Sequence, residues 1–359
     1  MTIQDKRISA AIEKIRGLNE DYVARAQKHL DSLTKPIGSL GLLESVAAQY
    51  VAWREEDRPE VARKAVYVFA GDHGICDEGI SAYPREVTPQ MVENFLAGGA
   101  GINVLSRHAG ADVVVVDAGV DADFKEHPGL IRHKIRRGTR NFAREAAMTQ
   151  EEVEAALMLG IELAQRAKRE GRTLIALGEM GIGNTTSASA IVAMLTGASV
   201  ERVTGMGTGL SNERTAHKAH VIDAALAMHF KDRIKALEDP LEILRRVGGL
   251  EIAAIAGMVL GAASERIAVV IDGFICTSGA AIACAMVPAA KAALFAGHQS
   301  EEPGHAIILS SMGLKPMLQL GMRLGEGTGA VLSFNLIEAS LKIYREMATF
   351  ASAGVSEAS

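Results

Sequence analysis

Short runs of apolar, often β-branched residues alternate with longer segments of helical periodicity through most of this chain. Runs that are apolar throughout, instead of alternating with polar residues, are typical of parallel strands covered on both faces by helices. The pattern therefore predicts the α/β class, with a doubly wound, mainly parallel sheet. The predicted strands are residues 65–70, 113–117, 173–177, 267–271 and 306–309, with 131–135 as a candidate edge strand.

Both ends of the chain follow a helical pattern instead. Residues 8–56 carry apolar side chains at three- and four-residue spacing, interrupted by the Pro- and Gly-containing segment 35–41. The helical period returns after Gly329 and continues to Tyr344. We expect a large α/β catalytic domain over residues 60–328 and a small helical domain from residues 1–59 plus 329–359.

Composition disfavours several classes of protein. Aromatic residues make up only 4%, which is too few for platforms that stack the bases of single-stranded nucleic acid. The 38 basic and 43 acidic residues leave a net charge of −5, which argues against nucleic-acid and membrane-surface partners. Because no secretory signal and no run of 18 apolar residues is visible, we expect a cytoplasmic protein.

Polar, Gly-rich segments follow the predicted strands. In open α/β sheets, ligands bind beyond the carboxyl ends of the strands. Several such segments at one edge therefore favour a catalytic or binding cleft over ordinary turns. The segments are residues 70–74, 117–119, 178–181, 272–274 and 310–313.

Two glutamates stand beside glycines in similar sequences. Glu179 lies in LGEMGIGNTT (residues 177–186), and Glu326 lies in LGEGTGA (residues 324–330). Glycines allow the backbone to approach a ligand closely, so both acids are candidates for proton transfer on a small molecule. Gly-Glu-Gly turns also occur in ordinary loops, and Glu326 could instead cap the helix that begins near Ala330.

The segment after Glu179 is a candidate anion site. It precedes a predicted helix over residues 187–195, and free N–H groups at a helix start suit a phosphate or a carboxylate. The alternative is a simple N-cap by Asn184 or Thr185. The candidate residues are Gly181, Gly183, Asn184 and Thr185.

A second Gly-rich turn contains Gly207, Thr208 and Gly209. It does not match the GxGxxG dinucleotide pattern, and the chain has no Walker A motif. Residues 211–214 could start the next helix, which carries Lys218. That lysine could reach the same phosphate, or it could lie on a solvated face of the helix.

Other catalytic chemistries have weaker support. Asp72, His73, Asp117 and Asp272 could bind the metal ions of a phosphohydrolase, but no HExxH or His-x-His pair accompanies them, and Asp at a strand end often caps the next turn. No GxSxG elbow is present. The three cysteines have no CxxC spacing, so neither a disulfide framework nor a structural zinc site is expected.

Taken together, six short segments resemble the nicotinate-nucleotide–dimethylbenzimidazole phosphoribosyltransferases of cobalamin lower-ligand synthesis. Each segment is weakly specific alone, but the ordered set spans nearly the whole chain. The segments are KPIGSLGLLE (35–44), AGDHG (70–74), GEMGIGNTT (178–186), DGF (272–274), SEEPGH (300–305) and LGEGTG (324–329).

The resemblance implies a homodimer with a Rossmann-like sheet that transfers phosphoribose from nicotinate mononucleotide to 5,6-dimethylbenzimidazole without a cofactor or metal. It assigns the catalytic base to Glu326, substrate contact to Leu324 and the nucleotide side of the site to the GEMGIGN segment. It also implies a benzimidazole pocket lined partly by the segment from Ser81 to Gln90.

Two other classes of function remain open at this level. A metal-dependent phosphohydrolase acting on a small nucleotide is the second reading, and a non-catalytic nucleotide-binding module is the third. Sensitivity to EDTA separates the first two readings, and turnover of nicotinate mononucleotide excludes the third.

Overall fold

A six-stranded, entirely parallel sheet forms the centre of the computed structural model, which describes residues 3–207 and 209–356. Its strand order is β3-β2-β1-β4-β5-β6, the order of a Rossmann-type sheet. The α/β prediction is therefore confirmed. The strands are β1 Lys64–Gly71, β2 Asp112–Gly119, β3 Leu130–Arg132, β4 Leu174–Met180, β5 Ala268–Ile271 and β6 Leu294–Ala296.

Helices flank this sheet and supply most of the remaining structure. The α-helices are α1 Lys6–Ile12, α2 Glu20–Ser32, α3 Leu42–Arg54, α4 Val87–Ala97, α5 Gly101–Ala109, α6 Gln150–Arg169, α7 Asn184–Thr196, α8 Val200–Val203, α9 Asn212–His229, α10 Arg233–Ala236, α11 Pro240–Val247, α12 Leu250–Ser264, α13 Phe274–Met286, α14 Pro303–Met312, α15 Thr328–Glu346 and α16 Phe350–Ala353. Short 3₁₀ helices cover Gly74–Glu78 and Pro288–Ala293.

The helix α12 is buried along its length, and apolar apart from Glu251 and the terminal Ser264, because it lies between α6, α13 and the central strands. Its backbone touches that of α6 at two glycines. A Cβ added at Gly257 would lie 2.0 Å from the carbonyl oxygen of Leu157, and one at Gly160 would lie 2.1 Å from that of Ala254. Contacts this close leave no room for a side chain, so α6 and α12 form a rigid support for β1 and β2.

One predicted strand is wrong. Residues 306–309 belong to α14, which starts at Pro303, a residue suited to the first turn of a helix. A short apolar run does not by itself distinguish a strand from a buried helix. The strand at this side of the sheet is β6, which has only three residues and follows an alanine-rich 3₁₀ helix. The predicted edge strand at 131–135 is confirmed in a shorter form as β3.

The terminal segments contact each other around a small apolar cluster of their own. Leu30 of α2, Val51 of α3 and Tyr344 of α15 belong to this cluster, and Leu33 forms an antiparallel bridge with Thr349. By contrast, α1 packs against α6 and α12, and α15 also contacts β4 and β5. The division into domains 60–328 and 1–59 plus 329–359 therefore stays a proposal, supported by the separate cluster. Among the described residues, no helix has the length and apolarity needed to cross a membrane.

Candidate active site

A cavity of about 430 Å³ lies at the carboxyl ends of β4, β5 and β6. The segments after these three strands line it together with α4 and the segment 323–326. A larger cavity of about 880 Å³ lies between α3 and the segment 313–319, but it is lined by none of the predicted site residues. The strand-end cavity is therefore the candidate site.

Glu326 lies in this cavity on a turn of unusual backbone conformation. Its φ is +63°, between Gly325 at +82° and Gly327 at +94°. A non-glycine residue in the left-handed region is uncommon, and such residues are concentrated at functional sites. The Glu326 side chain is almost completely buried.

The turn lies against the end of β4, and glycines make this approach possible. A Cβ added at Gly178 would lie 2.2 Å from the carbonyl oxygen of Glu326. A Cβ added at Gly325 would lie 2.4 Å from Oε1 of Glu179. A side chain at Gly178 would push the two segments apart, and one at Gly325 would displace the Glu179 carboxylate, so these glycines allow the two predicted glutamates to lie in one cavity.

Asp272, the first residue after β5, fixes the other side of the turn. Its carboxylate accepts hydrogen bonds from the backbone N–H groups of Gly327 at 3.2 Å and Ala330 at 2.9 Å. These groups belong to the start of α15, whose N-cap Gly327 has no side chain to satisfy them. The sequence left open that Glu326 caps this helix. Asp272 caps α15 instead.

The Glu326 carboxylate instead accepts a hydrogen bond of 3.0 Å from the backbone N–H of Ile102, in the first turn of α5. No other hydrogen bond to this carboxylate is found among the described residues. The pKa of Glu326 is raised above its usual value. Burial is the largest cause and the nearby Asp272 adds to it, whereas the hydrogen bond from Ile102 acts in the opposite direction. A carboxylate with a raised pKa and an uncommitted oxygen is suited to accept a proton near neutral pH.

Glu179 differs from Glu326 in its hydrogen bonding and in its protonation state. It is buried at the end of β4, and Oε2 accepts a hydrogen bond of 2.5 Å from the side-chain amide of Asn184. Burial, with the charges of Asp272, Glu251 and Glu326, raises the pKa of Glu179 to about 8. It is therefore protonated at neutral pH and can donate a hydrogen bond.

The helix α7 begins at Asn184 with Gly183 as its N-cap, and no side chain caps it. The alternative of an N-cap by Asn184 or Thr185 is therefore wrong, since the Asn184 amide turns towards Glu179. Gly181, Asn184 and Thr185 line the cavity, and Gly183 lies directly behind them. The start of α7 thus faces the cavity, as an anion site requires.

Lys218 approaches the same helix start from α9. Its side chain is fully buried, and Nζ donates a hydrogen bond of 2.8 Å to Oγ1 of Thr185. The alternative of a solvated helix face is therefore wrong. A Cβ added at Gly207 would lie 3.4 Å from Nζ, so the Gly207 turn covers the lysine. Burial lowers the pKa of Lys218 to about 8, against the opposing effect of Glu302.

The remaining predicted residues occupy several positions. Leu324 and Gly207 line the cavity, whereas Gly209 lies further along the second glycine turn. Thr208 is outside the described residues. Ser81 and Gln90 do not belong to the described lining, and the segment that contains them contributes Tyr83 and Val87 instead. The roles of Ser81, Gln90 and Gly209 therefore stay predictions.

The strand-end acids predicted as possible metal ligands accept hydrogen bonds from backbone N–H groups of neighbouring turns. Asp72 accepts from the N–H of Asp121, and Asp117 accepts from the N–H of Val120 and pairs with Lys134. No cluster of three or more His, Cys, Asp or Glu suited to a metal ion occurs in residues 3–207 and 209–356.

Several cavity residues were missed because their strand was missed. Ser300 and Glu302 follow β6 and occur in the SEEPGH segment, so assigning β6 correctly would have placed them at the sheet edge. Arg323 immediately precedes Leu324, and its guanidinium donates a hydrogen bond of 3.1 Å to the carbonyl of Gly207. The apolar part of the lining is formed by Tyr83, Val87, Met91, Met180, Ile182, Phe274, Ile275 and Leu324.

Comparison with known proteins identifies the family of this chain. A family model described as a phosphoribosyltransferase matches residues 15–355. The nicotinate-nucleotide–dimethylbenzimidazole phosphoribosyltransferase of Geobacter sp. (strain M21) is 55% identical over 97% of this chain and 99% of its own length. The chain belongs to this phosphoribosyltransferase family.

More distant relatives and a solved structure support the same membership. The phosphoribosyltransferase of the same name from Chlorobaculum tepidum is 49% identical over 98% of each chain. The crystal structure of CobT from Thermus thermophilus has a TM-score of 0.90 and 47% identity, covering 94% of this chain and 100% of that one. The predicted family and its Rossmann-like sheet are therefore confirmed.

Replacing Glu179 by Gln should stabilise the protein increasingly as the pH rises. Because the pKa of Glu179 is raised from 4.5 to about 8 on folding, the folded wild type binds this proton more tightly than the unfolded chain. The stability from that proton is fully present below pH 4.5 and is lost as the pH rises through about 8. Gln cannot ionise, so Glu179→Gln avoids the loss.

Denaturant unfolding of both proteins between pH 4.5 and 8 measures this difference. Glu201→Gln at an exposed position is the matched control and should show no such trend. A stability difference between Glu179→Gln and wild type that is independent of pH would contradict a protonated Glu179.

Proposed function

We propose that this phosphoribosyltransferase moves the phosphoribosyl group of nicotinate mononucleotide to 5,6-dimethylbenzimidazole, giving α-ribazole 5′-phosphate and nicotinate. The observation that carries the proposal is the position of Glu326, a carboxylate on a turn of left-handed backbone, in a cavity also lined by apolar side chains and by the start of α7. The relatives are named for the same reaction, which supports the proposal further.

The cavity lining has the two kinds of groups that these substrates require. The apolar side chains, including Tyr83, Met91 and Leu324, suit a flat, methylated benzimidazole. The start of α7 adds a polar part of the lining, with Lys218 behind Thr185 and with Arg323 also in the lining. A monophosphate suits this part, because helix N–H groups and a lysine both favour an anion.

The reaction needs a base more than it needs an acid or a metal. Nicotinate leaves the sugar from a pyridinium that already carries a positive charge, so its departure requires no proton. The attacking benzimidazole nitrogen forms a bond to the sugar carbon while the ring loses its N–H proton. Glu326 takes this proton through its uncommitted oxygen, on the face of the sugar opposite to the leaving group.

Glu179 acts as the neutral partner of this base. A second ionised carboxylate beside Glu326 would raise the pKa of both and would repel the anionic donor. As a protonated acid with a pKa of about 8, Glu179 can donate a hydrogen bond to the sugar or to Glu326 without adding charge. We assign it a positioning role in the catalytic pair.

We further propose that the enzyme is a cytoplasmic homodimer, as expected from the resemblance and from the sequence. Sedimentation equilibrium at several protein concentrations tests the dimer. A single species with the mass of one 38.0 kDa chain would contradict it.

The direct test of the reaction is incubation with nicotinate mononucleotide and dimethylbenzimidazole, followed by chromatographic detection of nicotinate and α-ribazole 5′-phosphate. Both products should form in equal amounts, and turnover should survive exhaustive chelation by EDTA. Phosphate release that needs an added divalent metal would favour the phosphohydrolase instead. Binding of the mononucleotide without turnover would favour the binding module.

Glu326→Gln should lower kcat by roughly a hundredfold or more, because loss of a general base costs about 10²–10⁴-fold in rate. The amide keeps the size of the side chain and still accepts the hydrogen bond from Ile102. Calorimetry should therefore show a folded protein that binds dimethylbenzimidazole normally. A near wild-type kcat would contradict the assignment of Glu326 as the base.

Lys218→Met should raise the KM for nicotinate mononucleotide by roughly tenfold or more, since charge-assisted hydrogen bonds contribute about 1.5–3 kcal/mol each. Methionine keeps most of the volume of this buried side chain. Nicotinate riboside, which lacks the phosphate, should be affected much less. Lys231→Met at an exposed position is the control, and equal effects on both donors would show that Lys218 does not contact the phosphate.

A further inference from the structure

Three glutamates line the cavity, and the proposed reaction uses only Glu179 and Glu326. The third, Glu302, precedes α14 and is 8% exposed. Glu302 is the N-cap residue of α14, but its side chain makes no capping hydrogen bond.

One oxygen of this buried carboxylate lacks a partner. Oε2 of Glu302 has no hydrogen bond to any part of the chain within residues 3–207 and 209–356. The carboxylate lies close to Gly205, where an added Cβ would be 2.1 Å from Oε2. An unpaired buried carboxylate oxygen is costly, and Glu302 lines the cavity, so a small rotation of the carboxylate towards a hydrogen-bond donor on a bound ligand would remove that cost.

The chemistry of the substrates limits what that donor can be. Nicotinate mononucleotide carries a phosphate and a ring carboxylate, both of which a glutamate repels. Its remaining polar groups that can donate a hydrogen bond are the 2′- and 3′-hydroxyl groups of ribose. The single N–H of dimethylbenzimidazole is the proton that Glu326 removes, so it is not available to Glu302.

The position of Glu302 fits a contact with the sugar. It lines the cavity together with Ser300 and Arg323, and it interacts electrostatically with Lys218 behind the cavity wall. If the phosphate binds near Lys218 and the glycosidic carbon faces Glu326, the ribose must lie between them. Carboxylates bind ribose hydroxyls in the same way at the sheet edge of dinucleotide-binding folds.

We propose that Glu302 accepts a hydrogen bond from a ribose hydroxyl of the donor and thereby selects ribosyl over deoxyribosyl donors. This inference rests on the proposed phosphoribosyl transfer. The competing explanation is that Glu302 only balances the charge of Lys218 and holds the Gly207 turn. That role would affect every donor equally.

Kinetic comparison of three donors with three proteins separates the two explanations. The donors are nicotinate mononucleotide and its 2′-deoxy and 3′-deoxy analogues, and the proteins are wild type, Glu302→Gln and the control Glu301→Gln. Glu301 is the exposed neighbour of Glu302, so its replacement removes a charge at the same place in the chain without touching the cavity. The quantity measured is kcat/KM, or the inhibition constant for a donor that is not turned over.

Glu302→Gln should lower kcat/KM for the ribosyl donor by roughly 10- to 100-fold, the range expected for a hydrogen bond to a charged group. For the analogue that lacks the contacted hydroxyl, the same replacement should change kcat/KM, or the inhibition constant, by only about threefold or less. That change is within the effect of one ordinary hydrogen bond. Glu301→Gln should match wild type with every donor. If the amide variant does not fold, Glu302→Asp, which keeps the charge on a shorter side chain, should show the same selective loss.

Equal losses with all three donors, or no loss with any, would overturn the role of Glu302 while leaving the transfer reaction intact. Failure of the wild type to turn over nicotinate mononucleotide would instead remove the proposed function, and this inference with it. The two failures are therefore distinguishable.

Discussion

The close contact between the end of β4 and the turn that carries Glu326 is the feature on which the rest of the site depends. Gly178 and Gly325 permit it, since a Cβ at either would lie within 2.4 Å of the opposite segment. Glu326 has a left-handed conformation at this contact, and Asp272, directly after β5, accepts a hydrogen bond from the next residue of the same turn. Three neighbouring elements of the sheet edge thus determine where one carboxylate points.

Bringing carboxylates together in a buried place has an electrostatic consequence. Glu179 is buried among other acids, so its pKa rises to about 8 and it stays protonated, while Glu326 keeps an N–H partner in Ile102. Environments that give two acids different protonation states are typical of acid–base sites. Lys218 lies behind the cavity wall and hydrogen-bonds to Thr185 at the start of α7, which supports the proposed position of the donor phosphate.

The sequence predicted the parts of the site that local pattern encodes and missed those that tertiary contact decides. The long apolar runs of β1 and β2 identified the central sheet, whereas three-residue β6 had too little pattern, and Glu302 was missed with it. The apolar run at 306–309 suited a strand and a buried helix equally, and packing selected the helix. The sequence also left open whether Lys218 lies on a solvated helix face or faces the site, because helical spacing does not show which neighbouring element covers a side chain.

The most direct test of the central claim is the kcat of Gly325→Ala compared with that of Gly321→Ala. Both glycines have positive φ, +82° and +66°, so the backbone strain of alanine is matched. An added Cβ meets Glu179 at 2.4 Å in the first case, and in the second the nearest atom is 3.9 Å away. Displacement of a catalytic group by about 1 Å costs about a hundredfold, so Gly325→Ala should lose that much kcat while Gly321→Ala stays near wild type. Equal rates for the two variants would contradict the account.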